Sequence, residues 1–207
     1  MYQSLEARLH DIFWDAEAPG VELQLIEKFL ETRPGKSLEI GCGSGRILLP
    51  LAQSGHEIDG NDVSQDMLDL LDQSKGEYAG ELHHGETTEQ DVASYQNFLV
   101  PAVTFMLFGE GAVESTLNYL HENAPAEANL YFTIFMPWAE ICGELDEEQW
   151  YIDHKTKMDQ GGEAVCRTQF TIDRTHQVLT RKHRYTLTAR NGKKETHESV
   201  QTLRWFT

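Results

Sequence analysis

The ten residues Ser37-Leu38-Glu39-Ile40-Gly41-Cys42-Gly43-Ser44-Gly45-Arg46 constrain this chain most. An apolar run that enters a glycine-rich turn and leaves into a helical pattern (Ile47, Leu48, Leu51, Ala52) predicts a buried strand, a tight turn and a helix. Glycines at alternate positions let the backbone turn sharply and let a ligand approach it. The following helix offers unpaired N–H groups and the positive end of its dipole. Glu39 is an acid inside an apolar strand, where a carboxylate needs a partner.

The dinucleotide fingerprint G-x-G-x-x-G requires a small residue at position 46, and Arg46 stands there. The pattern present is acid-x-G-x-G-x-G. It continues through Arg46-Ile-Leu-Leu-Pro-Leu-Ala52, Gly55-His56 and Gly60-Asn-Asp62-Val-Ser64-Gln-Asp-Met67-Leu68. On these motifs the chain resembles the class I S-adenosylmethionine-dependent methyltransferases. Asp62 falls 21 residues after Gly41, the spacing at which an acid ending the second strand can bridge two ribose hydroxyls. Ser64 reads as an N-cap, with Met67, Leu68 and Leu71 on the buried face of the next helix.

The resemblance implies an α/β fold, a Rossmann-like parallel sheet with helices on both faces. It implies S-adenosyl-L-methionine as cofactor and S-adenosyl-L-homocysteine as product. Carried over, the cofactor-binding residues are Glu39, Gly41, Cys42, Gly43, Gly45, Arg46, Asp62, Val63, Met67, Glu86, Thr87 and Leu107. Glu86 follows Gly85 where many family members have Gly-Asp, the acid accepting from the adenine amino group. N-terminal helices often form a substrate lid in the family, which makes Phe13, Trp14 and Asp15 candidates, with Trp138 later in the chain; plain helix packing is the alternative for Phe13 and Trp14.

Further strands are expected at 80–84, at 99–108 with Pro101 at its entry, and at 130–135, with a helix over 113–123. Glu110, at the expected tip of the fourth strand, is the candidate general base, and an exposed loop acid is the alternative reading. His83 and His84 are adjacent on a strand and so face opposite ways; they read as structural. After Trp138 a polar stretch suggests a loop and short helix. Three β-like runs follow, 164–172, 178–189 and 196–206, the last two joined by the hairpin signal Asn191-Gly192. They resemble the antiparallel ribbon of some small-molecule methyltransferases, amino-sugar N-methyltransferases among them. The expected organisation is a helical lid over 1–36, a cofactor-binding core over 37–138, and a lid loop with β ribbon over 139–207. The ribbon covers substrate or forms a homodimer contact. A sheet of this family normally closes with a further helix and strand pair, so the chain is expected to be a shortened form or a fragment.

Charge narrows the partners. The net charge is −17, and it is unevenly spread. Residues 1–149 hold 28 acids against 6 Lys/Arg, whereas residues 150–207 hold 6 against 11. An acidic body repels phosphate backbones, which argues against a nucleic-acid substrate. No apolar run is long enough for a membrane span and no secretory signal precedes the first helix, so a cytoplasmic protein is expected. Three scattered cysteines make neither a disulfide framework nor a zinc spacing, and no metal is expected. The reading is transfer of a methyl group to an N or O nucleophile of a small molecule. Its rivals are a non-catalytic cofactor-binding or scaffold protein and, behind it, a nicotinamide-dependent oxidoreductase.

Overall fold

The computed structural model describes residues 4–14, 20–158 and 161–206. They divide into two compact units, residues 20–134 and residues 4–14 with 135–206. This division departs from the three-part reading. The two N-terminal helices separate, the first joining the ribbon and the second the parallel sheet.

The first unit begins with α2 (Gly20–Glu31) and alternates strands and helices: β1 (Ser37–Ile40), α3 (Leu48–Gln53), β2 (Ile58–Asp62), α4 (Gln65–Ser74), β3 (Leu82–His84), β4 (Asn97–Val100), α5 (Thr104–Leu107), α6 (Ala112–Asn123) and β5 (Asn129–Phe132). All strand pairs are parallel, in the order β3-β2-β1-β4-β5. All four residues of β1 are buried, as expected of a central strand covered on both faces. Its core joins Ile26 and Leu30 of α2 to Ile47, Leu48, Leu51, Leu68 and Leu71. The Ser64 side chain caps α4 by accepting from the Met67 N–H, as its sequence predicts.

The run 99–108 is not one strand. It leaves the sheet after Val100, so Pro101 ends β4 rather than entering it, and Ala102 takes a left-handed φ of 57°. The apolar residues that follow form the short helix α5, burying Phe105 and Met106. A continuous apolar run suits a buried strand or a buried helix equally, and here it supplies both.

Asp59 in β2 is buried and fully engaged. It takes the Lys36 ammonium at 2.6 Å, the Tyr95 hydroxyl at 2.6 Å and the Glu81 N–H at 2.9 Å. Burial opposes its charge, yet these partners hold its carboxyl below the usual range.

The second unit holds α1 (Ser4–Trp14), the short helix α7 (Trp138–Ile141) and an antiparallel sheet. Its strands are β6 (Tyr151–Lys157), β7 (Gly162–Asp173), β8 (Val178–Ala189) and β9 (Lys194–Arg204), in that order. The three expected ribbon strands are present, and β6 is an addition, formed within the stretch expected to be a loop. Its residues, Tyr151-Ile-Asp-His-Lys-Thr-Lys157, are mostly polar, so no alternation of apolar and polar side chains announces it. Leu5, Leu9 and Phe13 of α1 pack on Ala164, Cys166 and Tyr185. Beneath them Glu6 is buried and accepts from the Tyr185 hydroxyl at 2.9 Å and Ser199 at 2.8 Å. Among the described residues no helix is long and apolar enough to cross a membrane.

Candidate functional site

In an open parallel sheet a ligand crevice forms outside the carboxyl ends of the strands, where the strand order reverses. Here that point is the carboxyl end of β1, between β2 and β4. The chain puts there the glycine turn 41–46, Asp62 at the last position of β2, Gly85–Thr87 after β3, and 101–104 after β4.

Gly41, Gly43 and Gly45 all have positive φ, at 75°, 55° and 90°. The space where a Cβ would project is occupied by Thr104 beside Gly41 and by Leu71 beside Gly45. These two glycines are therefore demanded by backbone conformation and by packing within the protein, not only by the approach of a ligand. The turn is tied to β2, since the Gly41 and Cys42 N–H groups donate to the Asn61 carbonyl at 2.7 and 3.1 Å.

Asp62 fixes the turn from the other side. Its Oδ2 accepts from the Gly43 N–H at 2.8 Å and its Oδ1 from the Ser64 N–H at 2.8 Å. A carboxylate offers roughly four lone-pair sites, more than these two contacts use.

Glu39 is buried, with 2% of its surface exposed, and its Oε2 has no hydrogen-bond partner. Burial holds its carboxyl well above the usual range. The Arg46 guanidinium lowers it, and the Glu22 and Asp62 carboxylates raise it further. Burial thus favours the neutral form of Glu39 in the ligand-free protein, and its orphaned oxygen is matched to a cationic donor. Burial also raises the Cys42 thiol well above its ordinary range, and its side chain packs against Gly60.

Three contributors were not apparent from the sequence. Asn61 donates to the His83 and Gly85 carbonyls at 3.1 and 2.9 Å and accepts from the Thr87 hydroxyl at 2.8 Å, so one amide positions the loop after β3. Glu22 of α2 accepts from the Ala102 N–H at 2.7 Å and the Thr133 hydroxyl at 2.6 Å, joining the segments after β4 and β5. Thr104 packs on Gly41. Polar side chains at these positions are the only signal, and it is a weak one.

The remaining predicted residues fall as follows. Met67 is buried in α4, while Val63 and Arg46 are half-buried at the rim of the turn. Thr87 is buried and engaged with Asn61, and Glu86 beside it is exposed. Leu107 lies in α5 rather than on a strand tip. Glu110 is exposed in the loop between α5 and α6, ten positions beyond the end of β4, so it does not occupy the strand tip assigned to it. Phe13 is buried in the ribbon unit, stacked on His154 at 5.5 Å and Tyr185 at 6.3 Å, which is core packing rather than a lid contact. Trp138 opens α7 and is 63% exposed. The Trp14 side chain and Asp15 lie outside the described residues.

Comparisons with known proteins bear on the fold. Residues 38–122 match the family model described as a methyltransferase domain. No curated protein matches the chain. Among solved structures, the sugar N-methyltransferase KedS8 from Streptoalloteichus sp ATCC 53650 is similar over 100% of this chain and 82% of its own. Its TM-score is 0.75 at 15% identity. An S-adenosylmethionine-dependent methyltransferase from Clostridium acetobutylicum ATCC 824 gives 0.71 at 12% identity over 97% of this chain and 80% of its own. The amino pentose methyltransferase CalS10 from Micromonospora echinaspora gives 0.69 at 17% identity over 100% and 84%. The fold is thus the Rossmann-like fold of the methyltransferases, with an antiparallel sheet after it.

Proposed function

We propose that this chain, whose residues 38–122 match the methyltransferase-domain family, uses S-adenosyl-L-methionine to methylate an N or O nucleophile of a small molecule. The observation that carries the reading is the orphaned, buried Oε2 of Glu39 beside a glycine turn that Asp62 holds in place. The residues fit the cofactor. Glu39 would take its ammonium group, and Asp62 the vicinal ribose hydroxyls. The turn 41–45 would lie along its methionine end, and Glu86 and Thr87 beside its base. When bound, the cofactor supplies a methyl group on a sulfonium that is already activated for in-line displacement.

The protein's share is therefore alignment and exclusion of water. Asp62 and the Asn61 carbonyl fix the turn in advance, so little ordering is left for binding to supply. Glu39 moves a proton. Burial favours its neutral form and a cationic partner favours the ionised one, the proton then passing to solvent. The acceptor's proton also leaves on transfer. An amine that is unprotonated at the moment of attack needs no strong base, which accords with Glu110 standing away from the strand tips.

The test is incubation with methyl-labelled S-adenosylmethionine and a panel of small amines and alcohols. Amino sugars head the panel because two structurally similar proteins are described as sugar or amino pentose methyltransferases. The expected result is label in at least one acceptor with stoichiometric S-adenosylhomocysteine. Cofactor binding without transfer to any acceptor would favour the non-catalytic reading instead.

A further inference from the structure

The ribbon unit carries a second set of chemically capable side chains. Asp153 of β6, Cys166 of β7 and His183 of β8 each offer a donor atom, and the three atoms lie within 4.8 Å of one another. Cys166 and His183 are buried, whereas Asp153 is exposed, so the cluster has an entry path from solvent.

A strand irregularity creates the cluster. Ile152 pairs with Arg167 and His154 with Cys166, which leaves Asp153 as an extra residue in β6. Such a bulge bends its strand and re-aims a side chain. The result is visible in the contact that Asp153 makes, its Oδ2 accepting from the Thr168 hydroxyl at 2.9 Å. Thr168 follows Cys166 by two residues, on the same face of β7, and pairs with His183 across the sheet. The Thr168 hydroxyl lies 2.9 Å from His183 Nδ1, and Cys166 Sγ lies 3.9 Å from the same atom.

These distances suit a small tetrahedral ion. Bonds of about 2.3 Å to sulfur and 2.0 Å to nitrogen place those two atoms roughly 3.5 Å apart, so Cys166 and His183 need to close by only a few tenths of an ångström. A mixed thiolate, imidazole and carboxylate set selects zinc-type ions over magnesium or calcium, which prefer all-oxygen ligands. Supporting contacts also exist, since Gln201 is hydrogen-bonded to the His183 ring and Thr168 to Asp153.

We propose that Asp153, Cys166 and His183 form a binding site for a zinc-type divalent cation, with a fourth position left for water. On binding, the Cys166 S–H bond breaks, its proton passes to the buffer, and the sulfur pair forms the bond to the metal. The Nδ1 proton that His183 gives to Thr168 moves through solvent to Nε2, which leaves the ring neutral and Nδ1 open to the ion, while Thr168 keeps Asp153. The other grouping of this type among the described residues, Asp59 with Glu81 and His83, does not qualify, because the Lys36 ammonium already occupies Asp59 at 2.6 Å and repels a cation. The ligands are 13 and 17 positions apart in the chain, a spacing that no sequence motif would flag.

The test uses the full chain, treated with chelator and carrying Cys142→Ser to remove an exposed thiol. Titration with Co2+ should give a thiolate-to-cobalt charge-transfer band that saturates at one ion per chain and releases one proton per ion. Zn2+ should abolish the band by displacement. Cys166→Ser should eliminate it. Asp153→Asn, at an exposed position that does not endanger folding, should weaken Co2+ binding about tenfold or more. No thiolate band at saturating Co2+ overturns the proposal, as does a band that persists unchanged in Asp153→Asn.

Discussion

Glu39→Gln is expected to raise the dissociation constant of S-adenosylhomocysteine by about 30- to 150-fold, equivalent to about 2–3 kcal/mol. The substitution preserves shape, removes the capacity for charge and turns one acceptor oxygen into an NH2 donor. In the wild type the buried carboxyl has an unpartnered oxygen and a folded-state pKa well above the ordinary range. The sign of the pH effect follows. Between the unfolded-state value and the raised folded-state value, the native protein binds a proton that the unfolded chain has lost. Ligand-free stability therefore falls as pH rises through that window, by up to about 1.4 kcal/mol per pH unit. Glu39→Gln should remove this contribution. Saturation with S-adenosylhomocysteine should flatten it in the wild type, because an ammonium partner lets the carboxylate ionise. Denaturant melts across pH, with and without ligand, measure all three quantities. An equal pH slope in wild type and variant would show that Glu39 ionises freely and holds no cation.

Asp62→Ala is expected to weaken cofactor binding by a few kcal/mol, about 2–4, through two losses. Ligand hydroxyls lose their acceptors, and the Gly43 and Ser64 N–H groups lose theirs at once. The second loss also lowers the stability of the ligand-free protein, by about 1–3 kcal/mol for buried donors left unpaired. Asp62→Asn retains one acceptor oxygen, so it should fall between alanine and wild type in both measurements. Calorimetric titration with S-adenosylhomocysteine decides the matter, and unchanged affinity in Asp62→Ala would remove Asp62 from the site.

The parts of this account that were legible in the sequence are local ones. The turn at 41–46 and the acid at 62 depend on residue spacing within one strand–turn–helix–strand unit, and the structure brings them together as that spacing implies. Ser64 capped its helix for the same reason. Local pattern does not suffice where tertiary context decides. The run from Leu99 to Phe108 is uniformly apolar, and only the burial available on each side tells its strand from its helix. That misreading carried Glu110 to a strand tip it does not occupy. Phe13 is a lid candidate only through the family resemblance, with helix packing as the alternative, and α1 belongs with the ribbon, where its apolar face is buried on Ala164, Cys166 and Tyr185. Asn61 was invisible because an amide shows its worth only when two carbonyls and a hydroxyl converge on it.

The central claim is that the carboxyl end of β1 is a site for S-adenosylmethionine rather than for a dinucleotide. Arg46 stands where a dinucleotide turn needs a small residue, and Glu39 presents a buried acid to a cationic group. The most direct measurement is isothermal titration of the wild-type chain with S-adenosylhomocysteine and, separately, with NADH under the same conditions. The account predicts saturable binding of one S-adenosylhomocysteine per chain and no binding of NADH; tight binding of NADH with none of S-adenosylhomocysteine would contradict it.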